Sequence, residues 1–348
     1  MKLHWIVAKA LAEKYGNRNL AFLAFSGDMH AYKLAKISIG LIIDSMTFKY
    51  RRKITITEQS GSDLTYYQVL IELNSTNFDF THAQTNGEDL RFTDADGNLL
   101  DYWIEEWDVV NESAKVWVKV PSIPANSSVK IYMYYGNPSA SSASDGDAVF
   151  EFFDDFEDYT EKWQEGGDSP TVSSETADGR SVVKITNGGC DCGGIETKEN
   201  INVENRIIER MLKGWAAEGT DIDECLCIDT AWKNDWRCSD NLMHGVFDLV
   251  GGEDSHQVRI GGINSWGSKQ LSPTEWKIAK TIIESGKITG IYDGEEISGE
   301  GAPTTYTGKI LLSVDNNANS AGVYYDWIRV RKYTEPEPSV SLGAEETA

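Results

Sequence analysis

The sequence contains no long apolar run. Its best stretch, residues 37–43, ends at Asp44, far short of the roughly 18 apolar residues that a membrane-spanning helix requires. The N-terminus does not read as a secretory leader either, because Lys9 interrupts the apolar residues 6–11 and Glu13 follows them. We therefore predict a protein with no transmembrane segment and no recognisable signal peptide.

Positive charge is scarce. The chain carries 32 basic and 55 acidic residues, a net charge of −23, and residues 142–348 alone hold 18 basic against 39 acidic residues. A field of this sign repels phosphate backbones, so we predict no nucleic-acid partner. It is compatible with cations, with neutral ligands such as glycans, or simply with a well-solvated surface.

Common catalytic motifs are also missing. The sequence has no G-x-S-x-G, no H-E-x-x-H and no phosphate-binding loop. Its five histidines are scattered, and their spacing predicts no cluster.

Cysteine is rare, and all of it lies in the second half of the chain. Two C-x-C pairs would each place both sulfurs on one face of a strand. Disulfides are the first interpretation, buried thiols the second, and zinc the last, because zinc sites usually space cysteines two to four apart. The disulfide candidates are Cys190, Cys192, Cys225, Cys227 and Cys238.

The sequence does contain many short segments with the pattern of β-strands. Residues 114–120 alternate apolar and polar side chains, and similar short runs recur from residue 50 onward between turn signals. This pattern predicts an all-β protein built of sandwiches. Because residues 139–146 are small and polar like a linker, we expect one β-sandwich over 47–141, a second over 142–338, and a loose tail over 339–348.

Residues 1–46 differ from the rest. Residues 5–15 can be written as a short amphipathic helix. This N-terminal extension is either a docking segment, through which the chain could assemble with a partner or with itself, or an upstream addition before a start at Met46.

Two segments resemble a known family. RFTDADGNLLDYWIEEWD at 91–108 and VWVKVPSIPANSSVKIYMYYGNPSASSASDGD at 116–147 closely resemble a β-rich domain of unknown function found in archaeal and some bacterial surface and secreted proteins. The similarity spans about 48–147. In that family a concanavalin A-like (laminin-G-like, lectin or glucanase) jelly roll often follows. FFDDFED at 152–158 and YYDWIRVRKY at 324–333 look like its first and last strands.

The resemblance implies a structural calcium ion between those terminal strands. Position by position, it nominates Asp155 or Glu157 on the first strand and Asp326 on the last. Carboxylate oxygens suit this hard cation. The alternative is that these carboxylates only pair with Arg329 or Arg331 on the surface.

The resemblance also raises glycan hydrolysis. Related glucanases carry E-x-D-x-x-E on one strand, and retaining glycosidases need two carboxylates about 5 Å apart. Here Asp221 and Asp223 fill the first two places, but Leu226 occupies the third. We therefore predict that the jelly roll is not catalytic.

Glycan binding without catalysis remains, because sugars stack on Trp and Tyr rings while amides and carboxylates take their hydroxyls. The alternative is that these rings fill the sandwich core. The candidate glycan-binding residues are Trp232, Trp236, Trp266, Asp229, Asp235 and Asn264.

These observations predict a non-catalytic, extracellular or cell-surface recognition and adhesion protein that binds a glycan or another surface through its jelly roll. The alternative is a structural subunit of a cell envelope, filament or virion, and a glycoside hydrolase comes third.

Overall fold

The computed structural model describes residues 48–167, 170–187, 193–216, 222–229, 241–248, 256–272, 274–315 and 321–348. Almost all of their regular structure is β-strand, which confirms the all-β prediction. Within these ranges, no helix is both long enough and apolar enough to cross a membrane. The N-terminal extension and its predicted helix lie outside the described residues.

The chain divides into two compact units. The first unit runs to Val149 and takes in Glu335–Ala348, and the second unit is Phe150–Thr334. The boundary therefore falls later than the expected 141/142. The linker-like residues belong to the first unit, because the Arg91 guanidinium donates to the Ser141 carbonyl (2.7 Å) and the Asp145 amide donates to the Tyr102 carbonyl (2.9 Å).

Two antiparallel sheets enclose the core of the first unit. Their described strand orders are β24-β1-β7-β3-β4 and β2-β6-β5. Apolar side chains of both sheets, among them Ile54, Ile71 and Val116, are fully buried between them. The strands and short helical turns of this unit are β1 (Tyr50–Thr57), β2 (Leu64–Asn74), a 3₁₀ turn (Phe80–His82), β3 (Arg91–Asp94), β4 (Leu99–Leu100), β5 (Tyr102–Asp108), β6 (Ser113–Ile123), β7 (Ser128–Tyr135), α1 (Gly146–Val149) and β24 (Ser339–Thr347).

The expectation of a loose tail is wrong. Residues 339–347 form β24, which pairs with β1 at the edge of the larger sheet. Val340 and Leu342 pack against the core, and the Tyr135 hydroxyl donates to Glu345 at 2.8 Å. The tail is ordered because its backbone completes this sheet edge and its alternate side chains bury apolar surface.

The second unit is a larger sandwich, as the predicted jelly roll requires. The described strands of its front sheet follow the order β18-β17-β16-β15-β22-β12-β9, with β13 beside β22, and those of its back sheet follow β10-β11-β23-β14-β19-β20-β21, with β8 beside β23. The strands and turns are β8 (Phe152–Asp154), a 3₁₀ turn (Tyr159–Glu161), β9 (Trp163–Gly167), β10 (Pro170–Ala177), β11 (Arg180–Asn187), β12 (Gly193–Thr197), β13 (Ile201–Asn202), β14 (Arg206–Ala216), β15 (Ile222–Asp229), β16 (Leu242–Asp248), β17 (His256–Ile260), β18 (Ile263–Gly267), β19 (Lys277–Glu284), β20 (Lys287–Tyr292), β21 (Glu295–Glu300), β22 (Thr307–Asp315) and β23 (Ala321–Lys332).

Strand β14 lies in the middle of the back sheet, between β23 and β19. The sequence of residues 201–211 is compatible with a helix or with a charged edge strand, and the structure shows strands there, β13 and the first part of β14. Ile208 and Leu212 face the apolar core, and by the period of two Arg210 between them faces it as well. A charged residue at a core position of a central strand hid this strand from sequence analysis.

Arg210 is fully buried between the two sheets and pairs with Glu224 of β15. Two hydrogen bonds of 2.8 and 2.7 Å join the guanidinium to both carboxylate oxygens, and both side chains have no exposed surface. The Tyr325 hydroxyl of β23 donates to Glu224 at 3.0 Å. This geometry satisfies a charge pair that would otherwise be costly to bury.

A chain of hydrogen bonds continues from this pair. Thr281 Oγ1 lies 2.7 Å from His244 Nδ1, His244 Nε2 lies 3.0 Å from His256 Nε2, and His256 Nδ1 lies 2.9 Å from Glu295. Because the Glu295 carboxylate only accepts, His256 donates to it and accepts from His244, which in turn accepts from the threonine hydroxyl. Two neutral imidazoles satisfy the whole chain. The expectation that no histidines cluster is therefore wrong.

Breaking the buried ion pair should be far more damaging than breaking one on the surface. We expect Arg210→Met to lower the free energy of unfolding by about 3–5 kcal/mol, since it leaves the buried Glu224 carboxyl group without its partner. The surface pair Arg51–Glu346, with side chains 39% and 49% exposed, provides the control, and Arg51→Met should cost less than about 1 kcal/mol. Urea unfolding measures both values, and equal losses would contradict this role of the pair.

The histidine chain should make stability depend on pH. Burial lowers the pKa of His244 and His256, so both stay neutral in the fold while the unfolded chain takes up protons below pH 6.5. Stability is then full above pH 6.5 and falls on acidification, by up to about 1.4 kcal/mol per pH unit for each histidine. In urea titrations, His256→Gln should reduce this slope, whereas His82→Gln in the first unit should retain it. A slope that survives His256→Gln unchanged would refute this explanation.

Candidate functional site

The outer face of the front sheet, which points away from the core, carries a compact set of polar and aromatic side chains at one edge. Gln257 and Arg259 of β17 lie directly opposite Trp266 and Asn264 of β18. Directly opposite residues stand about 5 Å apart, and alternate residues of one strand about 7 Å apart. We call these four residues the Trp266 patch.

Trp266 is 40% exposed although it is large and apolar. Beside it, Gln257 is only 1% exposed and its Nε2 has no hydrogen-bond partner. The buried Oδ1 of Asn264 also has none. An unsatisfied buried polar atom typically costs about 1–3 kcal/mol. A donor and an acceptor left unsatisfied next to an exposed ring are the arrangement expected where a polar ligand completes the hydrogen bonds.

Glu295 of β21 fixes the chain immediately after β18. Its carboxylate accepts from the Ser268 amide (2.8 Å), the Ser268 hydroxyl (2.7 Å) and the Lys269 amide (3.0 Å), in addition to His256. Burial raises the pKa of Glu295, but the hydrogen bonds from Ser268 and His256 outweigh it and hold this pKa at about 2. The charged carboxylate therefore joins the back sheet to the strand that carries Trp266.

The predicted residue Asp229 does not join the Trp266 patch. It ends β15, three strands away from β18, or about 14 Å. There it is buried opposite Lys309, whose ammonium binds Glu196 at 3.0 Å. Of the six predicted glycan-binding residues, the structure brings Trp266 and Asn264 together.

The remaining predicted residues are divided between described and undescribed parts of the chain. Cys225 and Cys227 are buried on β15, on the side opposite the core residues Leu226 and Ile228, so their pairing stays a prediction. The other calls, which lie outside the described residues, are Trp232, Trp236, Asp235, Cys190, Cys192, Cys238 and Asp221.

The third position of the glucanase-like motif is now placed. Leu226 is 1% exposed and packs in the sandwich core. The carboxylate nearest to it in sequence, Glu224, also faces inward and is held by Arg210. Neither residue supplies an acid or base to the outer face of β15.

Of the predicted calcium ligands, Asp155 lies close enough to Asp326 for its charge to act on it, but Asp326 is already paired with a cation of the protein. Asp326 on β23 accepts from Arg180 at 2.5 Å, not from Arg329 or Arg331, which bind Glu209. Burial raises the pKa of Asp326, and the nearby charge of Asp155 adds to it.

Asp155 and Glu157 are exposed. No group of three or more His, Cys, Asp or Glu side chains arranged for a metal occurs within the described ranges. Of the three predicted ligands, Asp326 is the one that forms a salt bridge among the described residues.

Calcium binding at Asp326 thus stays a prediction, and it requires that Arg180 give way. If it is correct, a chelator should lower the melting temperature by several degrees, because a ligand that binds only the folded state stabilises it. Asp326→Asn should abolish the effect, and Arg180→Ala should enlarge it. Identical melting curves with and without chelator in all three proteins would rule the ion out.

Sequence reasoning missed Gln257, Arg259 and Glu295. A signal for the first two exists, because the run HQVRI at 256–260 alternates polar and apolar residues and is followed closely by NSW at 264–266. Glu295 gave no such signal. Its role depends on β21 reaching across to the end of β18, which no local pattern encodes.

Comparisons with known proteins give one partial family match. A family model described as a domain of unknown function (DUF2341) matches residues 86–166, from the first unit into β9 of the second. The resemblance to a domain of unknown function is thereby confirmed from residue 86 onward, while 48–85 lie outside the match. No curated protein matches the sequence.

Several solved structures are similar over about half of the chain. The Bacillus licheniformis β-glucanase matches with a TM-score of 0.38 and 15% identity, over 52% of this chain and 97% of that chain. A protein of unknown function with a galectin-like fold from Bacillus subtilis matches with a TM-score of 0.39 and 11% identity, over 53% and 96%. The metal-free Emp46p carbohydrate recognition domain matches with a TM-score of 0.38 and 11% identity, over 53% and 94%.

Proposed function

We propose that the second unit binds carbohydrate at the Trp266 patch, without catalysis, as part of an extracellular recognition protein. The observation that carries the proposal is the exposed Trp266 ring beside two buried, unsatisfied amide atoms, Gln257 Nε2 and Asn264 Oδ1. A sugar offers both an apolar ring face and hydroxyl groups that donate and accept.

The charge of the surroundings favours a neutral sugar. The unit is strongly acidic, which disfavours phosphorylated or sulfated ligands through long-range repulsion. At the patch itself, the carboxamides offer one unsatisfied donor and one unsatisfied acceptor. Hydroxyl groups can use both, because each hydroxyl donates and accepts.

The absence of catalysis is supported by Leu226 and Glu224. A retaining mechanism needs two carboxylates about 5 Å apart on the substrate-facing side of the sheet. At this point of β15 one candidate position holds an apolar core residue, and the neighbouring glutamate is neutralised by Arg210 in the interior.

The proposal predicts that binding depends on the indole ring and on the amide beside it. On a glycan array and by pull-down with insoluble β-glucan, cellulose and chitin, Trp266→Ala should weaken binding by at least roughly fivefold, as expected for loss of a central aromatic contact. Gln257→Ala should weaken it less.

Tyr66→Ala is the matched control, because this tyrosine is 60% exposed but belongs to the first unit. Binding by the wild-type protein that is unaffected by both Trp266→Ala and Gln257→Ala would exclude the patch. If the wild-type protein binds no glycan, the proposed function is refuted, and assembly with protein partners becomes the favoured function.

A further inference from the structure

The outer face of the back sheet carries a second aromatic surface. Lys184 of β11, Tyr324 of β23 and Lys213 of β14 lie in one row across three neighbouring strands. Trp276, directly before β19, extends that row, with its ring 5.8 Å from the Lys213 ammonium. Cationic and aromatic side chains therefore alternate across the sheet.

Trp215 adds a further ring at the end of β14. It is 36% exposed, and the Lys184 ammonium lies 3.9 Å from its centroid. The Trp276 and Tyr324 ring centroids are 6.4 Å apart. Trp276 and Tyr324 are half-buried, so one exposed and two partly exposed rings lie on one sheet face, and such a cluster indicates an interaction surface. We call Trp215, Tyr324, Trp276, Lys184 and Lys213 the Trp215 platform.

The charges on this surface cancel. Lys184 lies 3.5 Å from Glu175 and Lys213 lies 2.6 Å from Asp178. The Arg180 guanidinium, 5.6 Å from the Trp276 ring, pairs with Asp326. The charges of three cations are thus balanced by those of three carboxylates. This balance removes the attraction that a phosphate-rich or sulfated polymer would need.

We propose that the Trp215 platform is a second carbohydrate-binding surface, which takes a neutral polysaccharide. Its rings can contact the apolar faces of successive sugars. The ammonium groups carry three donors each and the carboxylates several acceptor sites, so the ion pairs can still exchange hydrogen bonds with hydroxyls. The surface shares its ligand class with the proposed function but depends on different residues.

Two sites on opposite faces of one sandwich have a consequence that one site lacks. The Trp266 patch lies on the outer face of the front sheet and the Trp215 platform on the outer face of the back sheet. One molecule can then bind two polysaccharide chains and cross-link them. Its apparent affinity for an array of such chains rises because the two sites bind together.

The test compares Trp215→Ala, Trp266→Ala and the double variant in the full-length protein. The probes are insoluble β-1,3-glucan, cellulose and chitin for pull-down, and a soluble mixed-linkage β-glucan for turbidity. Each single variant should keep binding with roughly fivefold lower apparent affinity, and the double variant should lose it. Turbidity should form with the wild type and disappear in both single variants.

Two controls separate binding from folding. Trp215→Tyr keeps a ring and should retain most of the binding, and Tyr66→Ala should behave as the wild type. All variants should melt within about 2 °C of the wild type, since the substituted rings are surface residues.

The outcomes distinguish the two sites. If Trp266→Ala alone abolishes binding and Trp215→Ala binds as the wild type, the second surface is refuted and the proposed function stands. If Trp215→Ala abolishes binding and Trp266→Ala has no effect, the Trp266 patch is refuted as a binding site and the Trp215 platform stands. A wild-type protein that binds none of the probes counts against both.

Discussion

The buried pair of Arg210 and Glu224 is the constraint around which the second unit is organised. Arg210 belongs to the back sheet and Glu224 to the front sheet, so their two hydrogen bonds fix the sheets relative to each other. Purely apolar contacts would tolerate sliding of one sheet over the other, because dispersion and burial have little directionality. A bidentate ion pair in the interior does not, since any slip would leave both charges unsatisfied.

The same constraint reaches the sheet edge that carries the Trp266 patch through the histidine chain. The chain runs from Thr281 of the back sheet through His244 and His256 of the front sheet to Glu295 of the back sheet, and Glu295 then holds the backbone after β18. Gly290 allows this path, because a Cβ atom there would lie 2.7 Å from His244 Nε2, closer than real side chains approach. The position of the Trp266 patch is therefore set from the centre of the sandwich as well as by its own strands.

Much of this architecture follows from sequence patterns, and the exceptions share a cause. Alternation over short runs predicted the strands around Val116 and Val118, and the aromatic-acidic segments at 152–158 and 324–333 do pair, as β8 with β23. The interior of β14 did not follow, because its apolar and charged residues occur in pairs (IIERMLK at 207–213) instead of alternating, and a charged residue is rarely fully buried. Arg210 breaks that rule with a partner 14 residues away in sequence.

Of the Trp266 patch, only the two residues of β18 were predictable. Trp266 and Asn264 lie in a short polar segment whose sequence resembles a loop, which predicts exposure. Gln257 joins the patch only because it lies opposite Trp266 on the neighbouring strand. The Trp215 platform shows the same limit, because Lys184, Lys213 and Tyr324 come from three separate stretches of the sequence. Sheet surfaces are built across strands, and a single sequence reads only along them.

This difference explains why the sequence predicts the fold better than it predicts the binding surfaces. The core positions repeat every second residue along one strand, so the pattern of each strand predicts which of its residues face the core. A binding surface on a sheet instead draws one or two residues from each neighbouring strand, and its identity depends on strand order. In this chain that order places β14 beside β23 and β17 beside β18. The surfaces that Trp215 and Trp266 form are therefore properties of the topology, fixed only once the buried polar centre has aligned the two sheets.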